Sequence, residues 1–280
     1  MTGVAPPNVP DPDTTPEPSA PEPSAQEPSD PEPAPASERD GRSAELAERL
    51  GAVRERLAAA CRAAGRDPDE VSLLAVTKTI PAADVATLLD LGLTAFAENR
   101  AQEAAAKVAE VARLRPDAKP RWHFVGGLQR NKVRLVTPWV TRIESVDSPR
   151  LARAIDAEIG RARERGERDR PLPVLVQYSV DGDPGRGGVP DDGLDALVDL
   201  VAELPGLEPA GLMAVAPLDR EPERAFAEIA AAARRIRARH PGASELSAGM
   251  SGDLETAIDH GSTVVRVGTA LVGDRRLTSE

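Results

Sequence analysis

The chain has 280 residues, a formal net charge of −11, 40% hydrophobic residues and 2% aromatics. That is enough apolar material for one sizeable α/β domain with a core of Ala, Leu and Val, but too little aromatic material for an aromatic-lined binding surface. The acidic balance argues against nucleic acid and anionic membranes, both of which recruit clustered Lys and Arg.

Cys61 stands alone, so no internal disulfide or Cys-rich metal site can be drawn. In the run LAAACRAAG it reads as a small apolar residue on a helix face. No stretch of about 18 apolar residues occurs, and the opening MTGVAPPNVPDPD lacks the basic-then-apolar order of a secretory signal. The expected location is the cytoplasm.

Residues 1–42 repeat Pro, Glu, Ser, Asp and Ala, as in PEPSAPEPSAQEPSDPEPAPAS. Such a segment buries too little to offset its ordering entropy and reads as a disordered acidic tail. It is either a spacer or partner-binding segment or simply a tolerated solvated extension. From Ser43 helical periodicity sets in, with Leu46, Leu50, Val53 and Leu57 on one face and Gly65 as the C-terminal stop.

Short β-branched or apolar runs then alternate with Ala-rich amphipathic ones. The strand candidates are SLLAVTK (72–78), TAFAEN (94–99), RWHFVG (121–126), TRIESVD (141–147), PVLVQYSV (173–180), GLMAVAP (211–217), ELSAG (245–249) and TVVRVGT (263–269). About eight βα repeats over residues 43–276 predict a single (β/α)8 TIM-type barrel, preceded by the N-terminal helix and the tail; an open doubly wound sheet is the alternative.

In such a barrel chemistry collects where strands end. Lys78 closes the first strand, in a chain whose other lysines are Lys107, Lys119 and Lys132. It reads either as a strand-end lysine reaching solvent or as a nucleophilic amine for a Schiff base, chemistry that arginine cannot supply.

The stretch ELSAGMSGD offers Ser247, Gly249, Ser251 and Gly252 before a helix, and VRVGTALVG offers Gly268 and Thr269 after the last strand. These loops suit a phosphate, although N-capping and a glycine turn would explain them equally. Alternation puts Arg266 on the same face as Gly268, toward the barrel interior or toward a covering helix. His123 sits in WHFVGGLQRNK, and a lone histidine there is more often structural than catalytic. No metal-ligand spacing, Walker loop or Rossmann fingerprint is present.

Together LLAVTKTIPA, AFAENRAQE, WHFVGGLQRNK, GLMAVAP, LSAGMSGDLETAI and GSTVVRVGTALVG, in that order over about residues 45–275, resemble the pyridoxal phosphate homeostasis protein family, single-domain relatives of the alanine racemase N-terminal barrel. The resemblance implies a non-catalytic protein of intracellular pyridoxal 5'-phosphate (PLP) homeostasis that stores, buffers or delivers the cofactor, held as an internal aldimine on Lys78. It further implies Ser247, Ser251, Gly268 and Thr269, with the backbone around Gly249 and Gly252, on the phosphate. Arg266 would face the pyridine nitrogen, and Asn99, His123 and Met213 would lie around the ring.

PLP-dependent apoenzymes are the candidate recipients, and a monomer is expected. The second, β-rich domain that gives racemases a tyrosine base is not expected here, and the single tyrosine, Tyr178, reads as a core residue. A PLP racemase or decarboxylase and a Schiff-base aldolase are the competing readings. Ala97, Arg100, Gly127 and Arg130 depart from the family pattern in what are expected to be ring-side loops, and Arg186 stands where the family often has lysine.

Overall fold

The computed structural model describes Gly3 and residues 36–183 and 185–273. The tail assigned to residues 1–42 lies outside the described residues except for Gly3 and its last seven positions, 36–42. Those last positions are helical: α1 spans Ala36–Ala63, so the helix starts before the apolar periodicity does. Arg42, in the second turn, donates to Asp84 at 2.9 and 2.8 Å. At the other end Gly65 takes φ +68 and Arg66 N donates to the Cys61 carbonyl at 2.9 Å, closing the helix as the glycine predicts.

Eight strands follow, each at one of the apolar runs: β1 Ser72–Val76, β2 Ala95–Glu98, β3 Arg121–Phe124, β4 Arg142–Val146, β5 Leu172–Tyr178, β6 Leu207–Ala214, β7 Glu245–Ser247 and β8 Val264–Val267. Between and after them lie α2 Ala82–Asp90, α3 Ala101–Leu114, α4 Val133–Val136, α5 Pro149–Glu164, α6 Asp191–Glu203, α7 Pro222–Arg239, α8 Leu254–Asp259 and α9 Thr269–Val272. The strands pair in parallel, in chain order, and β8 closes on β1 through Ser72–Val264 and Leu74–Arg266. The (β/α)8 barrel is thus observed, and the open-sheet alternative is excluded.

Two large apolar clusters join helices to the outer face of the sheet, one around α5, α6 and α7, the other around α1, α2 and the ends of β1 and β8. Cys61 and Tyr178 fall within these, which explains both as packing residues. The interior is different. Its apolar content is two small patches, Leu74, Ala95, Ala97 and Val264 on one side and Leu175, Ala210 and Met213 on the other. Ala210 and Met213 share the inward face only because the β5–β6 register shifts at Leu175–Gly211. Gly211 permits this shift, since a β-carbon there would stand 1.9 Å from the Glu245 carbonyl oxygen.

Candidate functional site

A cavity of about 480 Å³ opens at the C-terminal ends of the strands, a volume in the range of small-molecule and cofactor sites. Lys78 reaches it two residues beyond β1, in phase with Leu74 and Val76, which point inward. The cavity also receives Asn99, Met213, Ser251, Gly252, Arg266, Gly268 and Thr269. Among the described residues that line it, Lys78 and Arg266 are the ionisable ones.

Close approach of two strand ends shapes one wall. A β-carbon on Gly126 would lie 2.2 Å from the Asn99 carbonyl oxygen, so only glycine lets the β3 end pass the β2 end. Asn99 itself presents a buried side-chain oxygen with no hydrogen-bond partner among the described residues. An orphaned acceptor of that kind calls for a donor from whatever fills the cavity.

The opposite wall is the pair of loops after β7 and β8. Asp253 receives the Met250 N–H at 2.6 Å and so folds the first loop over itself. Ser251 N–H and Gly252 N–H, in the same loop, find no acceptor among the described residues, and both residues line the cavity. Gly268 and Thr269 bring the start of α9 to the same wall. Free N–H groups at such turns are an anion-binding arrangement.

Three of the expected site residues stand elsewhere. Gly249 takes φ +91 with its α-hydrogen facing α8, and a β-carbon there would meet that of Ala257 at 2.4 Å; its role is close packing of β7 against α8. Ser247 is fully buried below the cavity floor: its hydroxyl donates to Glu144 Oε2 at 2.6 Å and accepts from Arg266 Nη1 at 2.9 Å, which leaves it unable to act as a phosphate donor. His123 faces a smaller cavity at the N-terminal end of the barrel, with Arg121, Arg142 and Glu245.

These residues compose a polar layer inside the barrel that the sequence reading missed. Glu144 is completely buried on β4 and accepts from His123 Nδ1 and Ser247 Oγ, both at 2.6 Å. Arg266 donates to Ser247 Oγ and Ser247 donates in turn to Glu144, which is the carboxylate acceptor at the end of the chain. Desolvation works against that charge, yet the His123 hydrogen bond, Arg266 and the Ser247 hydroxyl outweigh it and hold the carboxyl below the usual carboxylate range.

Arg266 also donates to the Ser247 and Ala214 carbonyls at 2.7 and 2.8 Å. Burial pulls its guanidinium below the ordinary value, and Glu144 opposes that pull. The hint in the sequence was IES in β4, an acidic residue in phase with inward positions.

A second buried network sits behind Lys78. Glu98 points away from the barrel axis and accepts from Thr77 Oγ1 at 2.7 Å and Lys107 Nζ at 2.8 Å; Lys107 also donates to the Thr77 carbonyl at 2.6 Å. The residue before Lys78 is thereby tied to both β2 and α3. Arg100, Gly127 and Arg130 do not line the cavity, and Ala97 belongs to the small interior patch. Glu223, Asp259 and His260 bring ligand atoms within 4.8 Å of one another outside the cavity, a juxtaposition with no sequence spacing to announce it. Among the described residues no helix is long and apolar enough to cross a membrane.

Fold and site together define a parallel (β/α)8 barrel with one lysine and one arginine facing an anion-suited wall. The alanine racemase N-terminal domain model matches residues 49–276. The chain is 47% identical over 247 residues to the pyridoxal phosphate homeostasis protein of Mycobacterium tuberculosis, covering 85% of this chain and 96% of that one. It is 38% identical over 234 residues to the protein of the same name from Escherichia coli, covering 82% and 97%.

Among solved structures, PipY of Synechococcus elongatus with PLP bound superposes with a TM-score of 0.69 at 34% identity, over 81% of this chain and 100% of that one. Alanine racemase of Corynebacterium glutamicum superposes at 0.57 with 17% identity over 82% and 62%, a likeness of fold alone. The chain belongs to the pyridoxal phosphate homeostasis protein family, within the alanine racemase N-terminal domain family.

Proposed function

We propose that this chain binds PLP in the C-terminal cavity as a Schiff base on Lys78 and serves as a non-catalytic carrier in the cytoplasm. The observation that carries this reading is the pairing, in one cavity, of an inward lysine with a wall of unsatisfied N–H groups. The Lys78 amine attacks the aldehyde carbon and water leaves, so the bond is reversible by hydrolysis or by another amine. Ser251, Gly252, Gly268 and Thr269 would hold the phosphate, and Asn99 Oδ1 would accept from a group at the ring. PLP bound to PipY, a relative with the same fold, supports the choice of cofactor.

Arg266 decides what the bound cofactor does. A guanidinium facing the pyridine nitrogen donates to its lone pair and does not surrender the proton, so the ring stays a weak electron sink. Among the described lining residues Lys78 is then the one ionisable group able to exchange a proton. Binding, storage and delivery to apoenzymes as a monomer are the activities this favours, over racemisation or decarboxylation.

The test is absorbance of the purified protein with PLP before and after borohydride, followed by peptide mass mapping. A band lost on reduction, an added mass on Lys78, no adduct in Lys78→Ala and no turnover of amino acids are expected. An adduct elsewhere, or steady turnover, would overturn the reading.

A further inference from the structure

Helix α1 precedes the barrel and contributes no residue to the cavity lining, yet it grips both phosphate-side loops. Arg42, Arg49 and Arg56 are spaced seven apart in α1, which keeps them on one helix face. Arg42 donates to the Val272 carbonyl at the end of α9 at 3.0 Å. Arg49 stands with its guanidinium carbon 3.6 Å from where a β-carbon on Gly273 would lie. Arg56 Nη1 donates to the Ser251 carbonyl at 2.7 Å. Val272, Gly273 and Ser251 all line the cavity.

The Arg56 contact has the clearest consequence. Its Nε and Nη2 are held by both oxygens of Glu255 on α8, each at 2.6 Å, so the guanidinium is fixed in place. In a trans peptide the C=O and the following N–H point in opposite directions. Drawing the Ser251 carbonyl outward onto α1 therefore turns the Gly252 N–H the other way, toward the cavity. Glu255 balances the Arg56 charge, so the contribution is orientation and not net positive potential.

We propose that Arg56 is a positioning residue of the phosphate wall, presetting the Ser251–Gly252 peptide for an anion that Arg56 itself does not touch. The inference rests on the reading of the cavity as a PLP site. It separates ligands that carry a phosphate from those that do not. Arg56→Met keeps the aliphatic stem and removes the donor.

The experiment measures the affinity of wild type and variant for PLP and for pyridoxal, which has the aldehyde and ring without the phosphate, by the borohydride-trapped fraction at increasing ligand. Loss of one well-aimed N–H to a phosphate is expected to weaken PLP about tenfold. Pyridoxal affinity should not change, and competition by inorganic phosphate against PLP should weaken in step. Should Arg56→Met not fold, Arg56→Lys makes the same comparison. Lysine lacks the fork needed to hold Glu255 and the Ser251 carbonyl at once, so a several-fold fall in the PLP-to-pyridoxal preference is expected.

An unchanged preference in either folded variant, or an equal loss for both ligands, would overturn the positioning role while leaving the PLP site intact. A wild-type protein that traps no PLP on Lys78 would instead remove the site reading, and this inference with it.

Discussion

Replacing Glu144 by glutamine tests the polar layer inside the barrel. The change keeps the volume and the acceptor that Ser247 Oγ uses at 2.6 Å. His123 can meet the new amide by shifting its proton to Nε2, because a neutral imidazole offers either nitrogen as acceptor. The hydrogen bonds can therefore be rebuilt, and what is lost is charge. Arg266, 5% exposed, then sits in the barrel without its counter-ion.

Leaving one member of a direct buried pair uncompensated costs about 3–5 kcal/mol of a total of roughly 5–15 kcal/mol, and the link from Glu144 to Arg266 through Ser247 Oγ puts this case at the low end. Urea unfolding should show a loss of about 3 kcal/mol with an unchanged slope. The double variant Glu144→Gln with Arg266→Met should lose less than the two singles together, because it removes both charges.

Glu144 has its pKa depressed on folding, so its contribution is complete above the ordinary carboxylate range and disappears as pH falls through the folded-state value. The acid limb of stability should accordingly flatten in Glu144→Gln. A loss below about 1 kcal/mol, or strict additivity with Arg266→Met, would refute the assignment of Glu144 as counter-ion.

Two further substitutions probe the walls. Lys107→Met strands Glu98, 1% exposed, and removes the donor to the Thr77 carbonyl; it should cost about 3 kcal/mol in urea unfolding and slow adduct formation at Lys78, the next residue. Gly126→Ala forces a β-carbon to within 2.2 Å of a backbone oxygen that cannot swing aside. A destabilisation of about 1–3 kcal/mol is expected, with weakened PLP binding because Asn99 must shift; a wild-type melting temperature and affinity would refute the close-approach argument.

The eight strands were legible because each is a short apolar run bounded by helices with a clear periodicity, a local signal. Lys78 was legible for a similar reason: lysines are rare in this chain, and strand alternation alone places Lys78 in phase with Leu74 and Val76. The residues that escaped detection act across sequence distance. Glu144 meets His123 and Ser247 from three different strands, and Lys107 reaches Thr77 from α3. In the linear sequence each is one more charge in a chain that is 29% charged.

Ser247 shows the converse failure. A serine in a glycine-rich loop suggests a phosphate ligand, but it is the last residue of β7, one pleat too early to reach the cavity. Gly249 is absent from the cavity lining, and its missing side chain makes room for α8.

The misplaced Ser247 clarifies the chemistry of the whole site. Burial weighs against the charge on Arg266, and Glu144 opposes that pull. Ser247 relays the Glu144 charge to the guanidinium. On the proposed reading, the layer beneath the cavity does more than fill the barrel: it keeps the proton on arginine and the ring unprotonated.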